Sequence, residues 1–161
     1  MNAVKCNLKA LAIHILFSVV GVIVWFIFDG TSYKWASEKA EQNHQNLIMM
    51  MGVVVIIIAI IFYFICARIY LINQGSLLKN MFAASLPFII GILIWISAAI
   101  LRFYGLYGDL LGSDIWGLYG IYNGYSFLFL NAFDINNVFL FLIPCFIPSI
   151  AMALGMQSRS R

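Results

Sequence analysis

The stretch LIMMMGVVVIIIAIIFYFICA, residues 47–67, decides the fold. It holds no charge and no proline over 21 residues. As a helix it rises about 30 Å, the thickness of a bilayer's hydrocarbon core. Three further stretches match it in length and character: residues 10–28, 81–101 and 135–156. The chain around them has nothing with which to cover a water-facing surface. It is 64% hydrophobic and 9% charged, where a soluble domain carries roughly 25% charged residues. The expectation is one all-α domain over residues 1–161, an integral membrane protein built as an antiparallel bundle of four transmembrane helices.

Lys5 and Lys9 precede the first stretch, as they would in a secretory signal. A signal core is roughly 7–15 residues long and ends at small residues. This stretch is longer and ends in Val24-Trp25-Phe26-Ile27-Phe28-Asp29, so it reads as a retained span. Basic residues then set the orientation. Lys5, Lys9, Arg68, Lys79, Arg159 and Arg161 flank one side, against Lys34, Lys39 and Arg102 on the other. Asp29, Glu38, Glu41, Asp109, Asp114 and Asp134 all fall on the second side. Both termini are therefore expected in the cytoplasm, with the protein in the cell membrane. A net charge of +3 with no basic run argues against nucleic acid as a partner.

The connections differ in character. In the first outer segment, 29–46, no breaker separates Lys34 from Asn46, so the second helix is expected to start ahead of the membrane. The inner turn Asn73-Gln74-Gly75-Ser76 is short, with Gly75 as a C-cap. The second outer segment, 102–134, is long, glycine-punctuated and aromatic, and is expected to lie along the membrane surface. Tyr104-Gly105-Leu106-Tyr107 nearly repeats as Tyr119-Gly120-Ile121-Tyr122, with Asp109, Asp114 and Trp116 between. Interfacial aromatics form an ordinary belt in many membrane proteins. Aromatic faces beside carboxylates also suit a binding platform for sugars, cationic headgroups or another protein's helix.

Small residues recur every seven positions at Gly52, Ala59 and Cys66, and again at Ala84, Gly91 and Ala98. Such stripes let backbones approach in lipid, and the two are expected to face each other across the second and third spans. On the first span His14, Ser18, Gly21 and Trp25 share one face, which is expected to look inward. His14 is the one ionisable side chain well inside a span. It suits a proton relay or a single haem ligand, but no second intramembrane histidine completes a haem site, and a cross-bundle hydrogen bond serves it as well. Pro144 and Pro148 are expected to kink the last helix.

No P-loop, GxSxG or HExxH is present. Cys6, Cys66 and Cys145 include no CxxC pair, and Glu41 with His44 supplies only two potential metal ligands. These absences point away from an enzyme, a cofactor and a metal site. The expected function is binding, as an accessory subunit or an assembly or immunity factor. The partners would be the bilayer and either another membrane protein or further copies of the chain. The alternative is a small oligomeric carrier or channel that uses His14 and the kinked fourth span. Reporter fusions after Ser32 and Gly112 are predicted to read as non-cytoplasmic, and fusions after Ser76 and Arg161 as cytoplasmic. One reporter on the wrong side breaks the four-span topology.

Overall fold

A computed structural model describes residues 3–28, 38–103, 114–132 and 138–159. Every regular element among the described residues is helical. In order they are α1 (Ala3–Phe28), α2 (Glu38–Tyr70), α3 (Leu77–Ala83), α4 (Leu86–Phe103), α5 (Asp114–Tyr122), α6 (Gly124–Ala132), a 3₁₀ turn (Val138–Phe141) and α7 (Leu142–Ser158). Three helical segments are long and apolar enough to cross a membrane, and the bent pair α3–α4 makes a fourth if counted as one span.

The length of α2 follows from an unbroken apolar run with a polar start. Its 33 residues rise about 50 Å, and the helix begins at Glu38, well ahead of the apolar core, as expected. At its far end Arg159 reaches back to the carbonyls of Ile69 and Leu71 (3.4 and 3.1 Å), satisfying groups that a helix C-terminus leaves open. Gly75 takes a positive φ of 94°, but it sits in the turn beyond Tyr70 rather than as the cap of α2. Asn73 Oδ1 accepts from the Gly75 amide there (2.9 Å).

The third apolar stretch, expected as one span over 81–101, is broken. Pro87 has no N–H for the carbonyl four residues back and disfavours helix at the residue before it. The chain bends by 60° between α3 and α4. Side chains from elsewhere meet the groups freed at the bend. Asn7 donates to the Phe82 carbonyl (3.0 Å) and accepts from the Leu86 amide (2.9 Å). Ser149 donates to the Ala84 carbonyl (2.7 Å).

Contacts along the helices give their directions. Asn80 meets Gln157, Ala84 meets Ser149, Gly91 meets Cys145, and Trp95 meets Val138, so α4 and α7 run antiparallel. Gly155 packs on Phe64 and Ala67, and Arg159 on Ile69, so α2 and α7 run parallel. His14 meets Tyr63 across the antiparallel pair α1 and α2. These four helices form a ring, each touching its two neighbours.

A simple four-helix bundle would close on its own centre, whereas this ring closes on α5 and α6. Trp116 and Tyr119 lie on Phe141, and Tyr119 reaches Cys145, so α5 runs the same way as α7. Ser18, Gly21 and Trp25 meet Tyr122, Tyr125 and Phe127 in that order, so α6 runs the same way as α1. Two nine-residue helices therefore enter and leave by the same end, turning at Asn123. Trp116, Tyr119, Asn123, Tyr125 and Ser126 are buried. The described part of the segment expected along the surface, residues 114–132, is instead a hairpin inserted into the bundle, and residues 104–113 lie outside the described residues.

That insertion also redirects the small-residue stripes. α2 and α4 do not pack along each other, because the hairpin and α7 lie between them. Gly52 faces Phe129 of α6, and Gly91 faces Cys145 of α7 and Tyr122 of α5. Ala59, Ala84 and Ala98 are buried, while Cys66 is only half-buried and the buried line of α2 passes through Tyr63 and Ala67 instead.

The glycines of the hairpin separate by environment. A Cβ on Gly124 would press on the Ser18 carbonyl and sit 2.7 Å from a Val22 methyl, whereas one on Gly117 meets nothing within 4 Å. Gly117→Ala is predicted to leave thermal stability in detergent unchanged or raise it by up to about 1 kcal/mol through helix propensity. Gly124→Ala is predicted to lower it by about 1–3 kcal/mol, as overpacking does. Equal behaviour of the two variants contradicts the docked hairpin.

Candidate functional site

The tip of the hairpin gathers polar side chains in the interior, with His14, Ser18, Asn123 and Ser126 all buried. A helix end leaves carbonyls without intrahelical partners, and α5 ends inside the bundle. Its partners come from the inward face of α1. Ser18 donates to the Tyr122 carbonyl (2.5 Å), and the His14 ring lies against both the Tyr122 backbone and its side chain, with ring centroids 4.5 Å apart. Asn123 continues the last turn through its amide to the Tyr119 carbonyl (2.9 Å). Gly21, one turn further along α1, lets the α6 backbone touch α1, and Trp25 closes over Phe127 (4.9 Å between ring centroids). The shared face of His14, Ser18, Gly21 and Trp25 is the strip on which the hairpin docks.

His14 is fully buried. Its Nδ1 lies 3.0 Å from the Tyr63 hydroxyl. With Tyr63 as the donor, Nε2 carries the ring proton. Nε2 and the Asn123 Oδ1 are buried without a hydrogen-bond partner among the described residues. Tyr63, Tyr122 and Tyr125 surround the imidazole with centroids at 6.0, 4.5 and 6.2 Å. The surroundings are aromatic and hydroxylic.

Three hairpin tyrosines bind backbone carbonyls of the surrounding helices. Tyr119 donates to Phe141, Tyr122 to Pro87 (2.9 Å) and Tyr125 to Pro144 (2.5 Å). The last has a direct cause. Pro148 has no N–H, so the Pro144 carbonyl four residues back loses its helical partner. The Tyr125 hydroxyl takes that place. Pro144 and Pro148 thus create an acceptor for the hairpin, and both are buried against it or its neighbours.

Of the residues expected to bind a partner, Trp116 and Tyr119 are core, and Tyr122 is half-buried with its hydroxyl engaged. None of the three can present an open aromatic face to the outside. Asp114 begins α5, and Tyr104, Tyr107 and Asp109 lie outside the described residues. Ser18 and His14 do come together, with Tyr63 and Tyr125, which the sequence did not single out. The signal for Tyr125 was present: a proline inside an apolar helix frees a carbonyl, and a nearby tyrosine can serve it. No three of His, Cys, Asp and Glu cluster as metal ligands among the described residues. Comparison with protein-family models, curated proteins and solved structures returned no match.

The Pro148 and Tyr125 pairing predicts a coupling. Tyr125→Phe leaves a buried carbonyl unsatisfied and is expected to cost about 1–3 kcal/mol in thermal unfolding. In a Pro148→Ala background an N–H returns to the Pro144 carbonyl, and the same change is expected to cost clearly less. Additive effects in this double-mutant cycle contradict the assigned role.

Proposed function

We propose that the chain is a non-enzymatic, four-span protein of the cell membrane, with both termini in the cytoplasm, that works by binding another membrane protein. It would act as an accessory subunit or as an assembly or immunity factor. The observation that carries this reading is how the interior polar groups are employed. Ser18, Tyr119, Tyr122, Tyr125 and Ser149 are each bonded to a backbone group at a helix end, bend or proline. Side chains committed to holding the backbone are unsuited to turning over a substrate. What remains for function is the outside of the molecule. The end at which the hairpin opens carries the polar first turns of α2, where Lys39, Glu41, Gln42 and Asn43 are exposed. The segment 104–113, with Tyr104, Tyr107 and Asp109, comes between α4 and α5 in the sequence.

A second reading, a small oligomeric carrier, draws on a different observation. A broken helix and a re-entrant hairpin meet beside His14, as discontinuous helices do at the substrate sites of transporters. The unpartnered His14 Nε2 and Asn123 Oδ1 lie at that meeting point.

Purification in mild detergent separates the two. A heterologous membrane protein is expected to come through with the wild type. Tyr104→Ala combined with Tyr107→Ala and Asp109→Asn is expected to lose it at unchanged expression and melting temperature. Trp116→Ala is expected to lower the melting temperature instead. A homo-oligomer that carries no partner, and whose melting temperature rises with an added solute, would overturn the binding reading in favour of the carrier.

A further inference from the structure

The 60° bend between α3 and α4 opens a wedge beside α7. Its wall is a groove of about 170 Å³ lined by Phe82, Phe88, Phe146 and Ile150, with almost no polar surface. Phe82 also belongs to a second hollow of about 250 Å³, bordered by Lys79 and Gln74. An apolar slot and a hollow bordered by a cation thus share one side chain. α3 presents the matching pattern, with Leu78 and Phe82 64% and 68% exposed and Lys79 exposed beside them. A short helix with apolar and basic flanks suits the boundary between headgroups and acyl chains.

Charge then selects the occupant. Lys5, Lys9, Arg68, Lys79 and Arg159 all lie at this end, and the acids Glu38, Glu41 and Asp114 lie at the opposite ends of their helices. Arg159 is bonded to the end of α2. Lys79 lines the hollow that adjoins the groove across Phe82, and it is a compact point charge of the kind that binds phosphate. We propose that this wedge binds an anionic phospholipid, its phosphate at Lys79 and one acyl chain in the groove between α3, α4 and α7. A free phosphate has no use for the groove, and a zwitterionic lipid gains little net attraction from cations that face no acid among the described residues at this end.

The proposal rests on the membrane reading given above, and the reporter fusions test that reading independently of it. The test here is native mass spectrometry of the purified protein from micelles containing equal amounts of phosphatidylglycerol and phosphatidylcholine. The wild type is expected to retain phosphatidylglycerol about fivefold over phosphatidylcholine. Lys79→Gln is expected to remove that preference, and Lys39→Gln, at the opposite end, to leave it intact. Ile150→Trp, which fills the groove from its exposed edge, is expected to lower retention of both lipids. Glycerol phosphate, which has the charge without the chains, is expected not to displace the bound lipid. Equal retention of the two lipids by the wild type, an unchanged preference in Lys79→Gln, or displacement by glycerol phosphate overturns the site.

Discussion

Every backbone amide and carbonyl placed in an apolar interior has to find a partner within the protein, since lipid supplies none. A continuous helix meets that demand by itself. This fold's departures from continuity among the described residues include the bend before Pro87, the tip of the hairpin at Asn123, and Pro148 within α7. Each departure is matched by side chains from a different helix. Asn7 and Ser149 serve the first, Ser18 the second and Tyr125 the third. Long-range order in the chain is therefore written mainly in hydrogen bonds from short polar residues to stranded backbone groups.

Close approach is the second requirement, and glycine meets it. The hairpin fits inside the ring because Gly21, Gly52 and Gly124 let backbones come within touching distance where any side chain would collide. In lipid, helices gain little from the hydrophobic effect, so dispersion over such tight contacts carries much of the association. Tyrosines complete the fit, since each fills space with its ring and ends in a donor. The hairpin is fixed by shape along its length and by hydroxyls at its edges, and at its tip His14 Nε2 and Asn123 Oδ1 are buried without a hydrogen-bond partner among the described residues.

The long apolar helices were legible in the sequence because length and hydropathy alone define them. The inward face of α1 was legible too, since His14, Ser18, Gly21 and Trp25 share a helical face and are its least lipid-like residues. The hairpin was not. Its nine-residue helices are too short to register as spans, and an aromatic, glycine-rich segment next to a span reads equally as an interfacial belt. Partner choice was misjudged for a related reason. The stripes of Gly52, Ala59 and Cys66 and of Ala84, Gly91 and Ala98 reveal where something packs closely, but a short connection between two helices suggested the wrong neighbour. Pro87 was the missed local signal, because a proline six residues into an apolar stretch already disfavours one straight helix.

The depth of the hairpin tests the account most directly. Leu118 and Ile121 are both exposed on the outside of α5, so each accepts a nitroxide label without disturbing the core, in a background with the three cysteines replaced by alanine. Three residues of helix separate them by about 4.5 Å along the axis. In liposomes, relative accessibility to oxygen and to a water-soluble nickel chelate reports the depth of each label. A re-entrant hairpin places Ile121 well inside the hydrocarbon and deeper than Leu118. Two labels at the same headgroup depth would show that α5 lies along the surface, and the docked hairpin would be wrong.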